Sequence, residues 1–344
     1  MSDKTWQNPP SARAASLSVA TTASLPQGPA MRASALQRFE FSDRAFYWLS
    51  LGAAICVLLL LLGVAVALFA GSWQAFRTFG FNFFISDAWS PPKQHFGAAA
   101  AIYGTLLTSL IAMLIGVPVG VGIAVFLTEL CPLLLRRPIG IAVELLAGIP
   151  SIIYGIWGAY FFKPFMQDAL QPFLIKTFGA LPLFGWLFAG PPVGFGILTA
   201  GLILAVMILP FVTAISRDVF ETVPGVLKEA AYGVGATTFE VVRRVVIPYT
   251  RVGVIGGVML ALGRALGETM AVTFVIGNST HISSSILAQG TTISAMIANQ
   301  FADADEGLFT SSLLALGFIL FIITFIVLAI ARAMLARLAV KAGR

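Results

Sequence analysis

The chain has 344 residues, of which 58% are hydrophobic and only 10% charged, and its mean hydropathy is +0.92. A soluble domain carries about 25% charged residues because its surface must be hydrated, so this composition excludes a soluble protein. Abundant apolar residues exclude a disordered chain, and a total of two cysteines excludes a disulfide-stapled scaffold. The composition therefore predicts an all-α membrane protein with several spans.

Residues 1–45 precede the first apolar segment and are rich in Ala, Ser and Pro. We expect them to form a disordered cytoplasmic tail, and a transit peptide is the alternative. Beyond the tail, six segments contain the roughly 20 apolar residues that a membrane-spanning helix needs. The predicted spans are 46–70, 98–130, 139–162, 194–215, 252–276 and 308–334.

The predicted organisation after the tail is a first span with an outer loop (46–97), a transmembrane domain (98–334) and a basic C-terminus (335–344). Sixteen Lys and Arg residues fall in the tail, the loop after the second span, the 216–251 loop and the C-terminus, against four on the opposite side. Because cytoplasmic loops carry the excess of Lys and Arg, both termini and the 216–251 loop are predicted to be cytoplasmic. The net charge of +6 thus indicates orientation rather than binding of nucleic acid.

The 216–251 loop contains two short predicted helices. Pro224 begins the first helix, and Gly233 and Gly235 end it. Thr238 is expected to cap the second helix and Pro248 to end it. Together the two helices form an amphipathic elbow that presents apolar and charged groups to a partner outside the membrane.

The elbow resembles the EAA loop of binding-protein-dependent ABC importer permeases. The matching residues are Glu229, Ala230, Ala231, Gly235, Val245, Ile247 and Pro248. Val245 and Ile247 stand where the family pattern has Ile and Leu, which are conservative differences. The resemblance implies a type I ABC importer permease fold, with the elbow as the coupling helix that fits a groove in an ATP-binding subunit. An interfacial helix that only caps the bundle is the alternative.

The chain contains no sign of its own ATPase. No lysine follows a glycine, which excludes a G-x-x-x-x-G-K-[ST] phosphate loop. ATP is therefore expected to be used by a partner subunit, and no cofactor is expected on this chain. His95 and His281 are the only histidines and no His, Cys and carboxylate cluster is evident, so neither a metal site nor a hydrolytic site is predicted.

Two charged residues fall inside the fifth predicted span, Arg264 at its middle and Glu268 one helical turn later. A buried ionisable group costs about 2.5–3.5 kcal/mol on insertion scales, which makes it a candidate for function. Arginine offers a planar fork of donors that suits an oxyanion, and Glu268 is expected to hold Arg264 while the path is empty. Thr269 and Thr273 can add hydroxyl donors. A purely structural ion pair is the alternative.

Glu144 lies near the cytoplasmic end of the third predicted span, shortly before Pro150. A proline break there could free backbone groups toward a water-filled path, so Glu144 is a further candidate for the substrate path. Pairing with Arg136 or Arg137 at the membrane interface is the alternative. Whether Glu144 faces the path stays open at this point.

Three segments resemble the C-type permease subunits of phosphate-specific Pst ABC importers. They are IYGTLLTS (102–109), ELLAGIPSIIYGIWG (144–158) and GRALGETMAVTFVIGN (263–278). The resemblance implies phosphate as the substrate and a bacterial inner-membrane location. It also implies a sister A-type permease, ATP-binding subunits and a periplasmic phosphate-binding protein as partners. On the residues alone, an importer of sulfate or molybdate and a secondary anion transporter remain open.

Overall fold

The computed structural model describes residues 29–181, 185–305 and 307–342, and within these ranges the chain is helical and contains no β-strand. The helices are α1 (Pro29–Phe79), α2 (Asn82–Ile85), α3 (Ala99–Val125), α4 (Leu133–Ala147), α5 (Ser151–Trp157), α6 (Lys163–Phe165), α7 (Gln171–Phe178), α8 (Ile197–Glu221), α9 (Gly225–Gly233), α10 (Thr238–Val241), α11 (Ile247–Leu266), α12 (Met270–Thr273), α13 (Ile293–Gln300) and α14 (Leu308–Ala342). Wide π-type turns extend several of them, at Phe126–Leu130, Gly158–Phe162, Met166–Leu170 and Val242–Val246.

Five helical segments are long and apolar enough to cross a bilayer, and a bent helix pair is a sixth such segment if it is counted as one span. The five are Asp43–Phe79, Ala99–Leu130, Ile197–Glu221, Thr238–Leu266 and Leu308–Arg337. The bent pair is Leu133–Ala147 with Ser151–Phe178. Each of these segments overlaps one predicted span, so the prediction of an all-α membrane protein is confirmed, with five to six spans.

The first helix is longer than its predicted span. It begins at Pro29, so residues 29–45 are helical where we expected the end of a disordered tail. Proline at the first turn followed by good helix formers accounts for this start. Residues 1–28 of the predicted tail lie outside the described residues. Contacts divide the chain into two units, Met1–Gly63 and Val64–Arg344, and the predicted domain limits 46–97, 98–334 and 335–344 stay predictions.

The third span is bent at the proline break that the sequence indicated, and its two helices extend beyond the predicted limits 139–162 on both sides. Helix α4 ends at Ala147, and the chain turns by 89° before α5 continues from Ser151. Pro150 causes the break because it has no N–H and steers the preceding residue away from helical backbone angles. The Tyr154 hydroxyl donates to the carbonyl of Leu146 at 2.9 Å, which satisfies one of the acceptors at the end of α4.

The fifth span is also broken, since α11 ends at Leu266 and α12 begins at Met270 instead of one helix running to residue 276. Gly267 follows the last helical residue, and glycine is about 1 kcal/mol less favourable than alanine inside a helix. The Glu268 carboxylate accepts the backbone N–H of Ala271 at 3.3 Å and thereby caps α12.

Helices α3 and α8 approach each other closely because glycines lie along their contact. A Cβ atom added to Gly116 would lie 2.8 Å from Ile208, and one added to Gly201 would lie 2.6 Å from Ile111. Small residues permit such close helix packing in membranes, where lipid provides no hydrophobic driving force between helices. The closely packed α3–α8 pair lies at the centre of the fold, and α8 also contacts α4, α5, α11 and α12.

Candidate functional site

The segments that follow the two helix breaks are in contact with each other. A Cβ atom added to Gly155 on α5 would lie 3.0 Å from the carbonyl oxygen of Met270 on α12 and 2.8 Å from the ring of Phe274. Only glycine permits this approach, since real Cβ atoms essentially never come closer than 3.0 Å to another heavy atom. The break of the third span and the break of the fifth span are thus joined in one region of the fold.

Arg264 lies in the last turn of α11, directly before the break of the fifth span. The cation stands at the carbonyl end of the helix, where the helix dipole favours positive charge. Its side chain is exposed on the surface of this chain, and Tyr154 on α5 lies within electrostatic range of it. The membrane-spanning segment Thr238–Leu266 ends two residues after Arg264, so Arg264 lies near the end of that segment and not at the middle of the span as predicted. A guanidinium exposed to lipid is costly, so water, a substrate or another subunit is the favourable neighbour of this side chain.

The expected ion pair between Arg264 and Glu268 is not among the contacts of the described residues. The break at Gly267 takes Glu268 off the face of α11, and its carboxylate is engaged by α12 as described above. Thr273 donates its hydroxyl hydrogen to the carbonyl of Thr269 at 2.8 Å, and the Thr269 hydroxyl donates to the carbonyl of Gly267 at 3.4 Å. In this structure both hydroxyl hydrogens are therefore donated to backbone carbonyls rather than available to a substrate.

Glu144 pairs with neither of the two arginines named as its alternative partners. Its carboxylate binds Nη2 of Arg217 on α8 at 2.6 Å, and the same nitrogen donates to Asp218 at 3.1 Å. Arg136 instead pairs with Glu221 at 3.0 Å. The cluster lies at an open pocket of about 320 Å³ lined by Leu133, Arg136, Arg137, Ile141, Glu144, Arg217 and Glu221. Glu144 thus ties the bent third span to the predicted cytoplasmic end of α8.

The predicted elbow is present, with two differences in detail. Helix α9 ends at Gly233, and Gly235 has φ +86°, a left-handed conformation that strongly favours glycine. Thr237, not Thr238, caps the second helix: its side chain accepts the N–H of Glu240 at 3.4 Å, and the Glu240 carboxylate accepts the N–H of Thr237 at 3.0 Å. These two reciprocal bonds form a capping box.

Pro248 does not end the second elbow helix, contrary to the prediction. The wide turn Val242–Val246 leads directly into α11, so the chain is helical from Thr238 to Leu266. Pro248 lies inside this continuous helix, and the wide turn Val242–Val246 directly before it is the local irregularity that accommodates a residue without an N–H. The second elbow helix is therefore continuous with the helix that carries Arg264.

The EAA-type residues divide into an inward and an outward set. Ala231 and Val245 pack against a buried cluster at the base of the elbow, formed by Ala124, Phe220, Val223, Val241 and Val246. Glu229 and Ala230 are exposed, and so are the large apolar side chains of Val226, Val234 and Phe239, at 73%, 86% and 70%. Exposed apolar groups gathered on one element indicate a surface that a partner covers.

Comparison with known proteins agrees with this geometry. The family described as binding-protein-dependent transport system inner membrane component matches residues 116–340. The chain is 63% identical to a phosphate transport system permease protein PstC of Mesorhizobium japonicum, over 92% of this chain and 97% of the relative. It is 55% identical to a protein of the same description from Pasteurella multocida, over 85% of this chain and 91% of the relative.

The chain belongs to the family of binding-protein-dependent transport system inner membrane components. Solved structures agree on the fold. A chain of a bacterial alginate ABC transporter, solved with an alginate-bound periplasmic protein, matches with a TM-score of 0.58 at 17% identity, over 86% of this chain and 97% of that chain. A chain of the inward-facing MetNI methionine ABC transporter matches with a TM-score of 0.54 at 16% identity, over 73% and 99%. The fold is that of a type I ABC importer permease.

Sequence reasoning missed one further contact of the permease. Nζ of Lys228 on α9 lies 2.5 Å from Oε1 of Glu129 in the turn Phe126–Leu130, and 99 residues separate the two in the chain. No periodicity relates residues so far apart, so one sequence carries no signal for the pair. The Arg217 partner of Glu144 was missed for the same reason. The hydrogen bond from Tyr154 to Leu146 is different, because it joins residues close together in the chain on either side of the proline break. That contact could have been predicted from the sequence.

Proposed function

We propose that this permease forms half of the translocation path of an ATP-driven importer of inorganic phosphate, in the bacterial inner membrane and with both termini on the cytoplasmic side. The observation that carries the proposal is the 63% identity, over almost the whole chain, to a relative described as a phosphate transport system permease. The arginine exposed beside the break of the fifth span agrees with an anionic substrate. The sixteen cytoplasmic cations support the orientation.

The partners follow from the two exposed surfaces. A sister permease of the A type covers the face of α11 that carries Arg264, and together the two permeases enclose the path. ATP-binding subunits dock on the elbow surface around Glu229, Val234 and Phe239 and hydrolyse the ATP, so this chain needs no cofactor. A periplasmic phosphate-binding protein docks on the outer loops, residues 71–97 and 163–192.

Arg264 is the group proposed to receive phosphate during passage. Its guanidinium has no carboxylate partner among the described residues, so its donors are available to an oxyanion. The same break contains Glu268 and Thr269, and Thr273 follows it at the end of α12. Glu144, paired with Arg217, contributes by holding the cytoplasmic end of the path in place.

Substrate identity is tested by uptake of radiolabelled phosphate in cells that express the full importer. We expect uptake to persist in the presence of excess sulfate or molybdate and to cease in excess unlabelled phosphate. Equal competition by sulfate or molybdate would assign the permease to another oxyanion.

The role of Arg264 is tested by comparing Arg264→Ala with Arg264→Lys at equal protein level. The alanine variant removes every donor and the lysine variant keeps the charge but loses the planar fork. We expect uptake to fall at least tenfold for alanine, about 1.4 kcal/mol of stabilisation of the bound anion, with an intermediate rate for lysine. Wild-type uptake in the alanine variant would remove Arg264 from the mechanism.

A further inference from the structure

The ion pair between Lys228 and Glu129 is the feature that the proposed function leaves unused. It joins α9, the first helix of the elbow, to the turn at the predicted cytoplasmic end of the second span, with a separation of 2.5 Å. Only 6% of the Glu129 side chain and 20% of the Lys228 side chain is exposed. Among the ion pairs of the described residues, this is the one that involves α9.

A shielded ion pair contributes little net free energy to folding. Removing two charges from water costs about as much as their attraction returns, and apolar side chains of similar size often stabilise a protein equally well. Breaking such a pair, in contrast, leaves an uncompensated charge in a poorly hydrated site and is strongly unfavourable. The pair therefore resists separation of α9 from the second span more than it stabilises the fold.

Few other contacts hold α9 to the membrane-spanning part. Of its residues, Ala231 alone belongs to the apolar cluster at the base of the elbow, and its larger apolar side chains Val226, Leu227 and Tyr232 are exposed. Alanine contributes a small packing area that a shift of α9 would disturb little. A movement of α9 must then either carry Glu129 with it or separate the two charges.

Glu129 lies in the turn that connects α3 to α4, so a movement of Glu129 is transmitted to both helices. The turn Phe126–Leu130 is a wide helical turn closed by the N–H of Cys131, which donates to the carbonyl of Phe126 at 2.8 Å. Turns of this type occur often at functional positions in helices. Helix α4 begins at Leu133, directly after this turn, and α4 is itself linked to α8 by Glu144 and Arg217. A displacement of Glu129 thus reaches the second, third and fourth spans.

We propose that Lys228 and Glu129 form a latch that transmits movement of the elbow to the second and third spans, so that ATP hydrolysis by the partner subunit is coupled to opening of the path. This inference rests on the proposed function. Movement of the elbow is then transmitted along two routes. The continuous helix Thr238–Leu266 leads to Arg264, and the latch leads to the bent third span. Lys228 and Glu129 are positioning residues, because neither contacts the substrate.

The test uses the complete importer reconstituted in vesicles and measures phosphate accumulated per ATP hydrolysed. Lys228→Met and Glu129→Gln each break the latch, and the double variant Lys228→Gln with Glu129→Gln removes both charges so that no unpaired charge remains. We expect all three to keep ATP hydrolysis and to lower the transport ratio about fivefold or more, the size of a typical coupling between sites. The exchanged pair, Lys228→Glu with Glu129→Lys, is expected to restore the ratio.

A matched control breaks a different ion pair on the same side of the protein. Asp218→Asn removes the contact with Arg217 within α8, without touching α9 or the link between α4 and α8, and is expected to leave the ratio unchanged. A wild-type ratio in the double variant would overturn the latch. So would parallel loss of ATP hydrolysis and transport in every variant, since a purely structural contact gives that pattern. Absence of phosphate transport in the wild-type importer would instead refute the proposed function and is scored separately.

Discussion

Substitution of Gly104 by alanine tests how closely the outer segment near Thr291 packs against the second span. Gly104 is buried on α3, and a Cβ atom there would lie 1.9 Å from the carbonyl oxygen of Thr291. The oxygen would have to retreat by about 1.1 Å to reach the 3.0 Å limit of real Cβ contacts. Thr291 is itself buried, and the nearby N–H of Ile293 is held by the hydroxyl of Thr105 at 2.9 Å, so the backbone has little freedom to move.

Overpacking of this kind costs about 1–3 kcal/mol. We expect Gly104→Ala to lower the melting temperature of the purified protein in detergent by roughly 2–4 °C for each kcal/mol. Gly122→Ala is the matched control on the same helix, because no atom lies within 4 Å of its added Cβ. There alanine gains up to about 1 kcal/mol of helix propensity, so melting should stay level or rise. Equal melting temperatures for the two variants would refute the packing argument.

Two further substitutions test local contacts. Thr105→Val keeps the side-chain shape but leaves the buried N–H of Ile293 without an acceptor, so we expect a loss of about 1–3 kcal/mol, measured as a lower melting temperature; no change would mean that another acceptor replaces the hydroxyl. Gly235→Ala forces alanine into the φ +86° conformation at a cost of about 1–2 kcal/mol and should weaken co-purification of the ATP-binding subunit. Gly233→Ala, whose added Cβ also has open space, should not, and equal co-purification of both variants would contradict the role of the turn.

The spans and the elbow could be predicted from the sequence because both depend on local patterns. A run of apolar residues marks a crossing wherever it occurs in the chain. The first elbow helix has a proline signal at its start, Pro224, and a glycine signal at its end, Gly233, and both lie at the observed ends of α9. These features require no knowledge of which helices are neighbours.

The interior of the site could not be predicted because it depends on where helices stop. An unbroken fifth span places Glu268 on the same face as Arg264, whereas the break at Gly267 turns its carboxylate to the N–H of Ala271. Glu144 pairs with Arg217 on α8, and 73 positions of the chain separate the two residues. Lys228 pairs with Glu129 across a separation of 99 positions. Such pairs are decided by the packing of α3, α4 and α8, which hydropathy and spacing do not encode.

The central claim is that ATP hydrolysis by the subunit docked on the elbow drives phosphate across the membrane through this permease. Its most direct test is the accumulation of labelled phosphate in vesicles that contain the permease and its partner subunits. The account predicts accumulation against a gradient only when hydrolysable ATP is present on the side of the elbow and the binding protein is on the other. Accumulation that is driven by an ion gradient and indifferent to ATP would contradict it and would assign the chain to secondary transport.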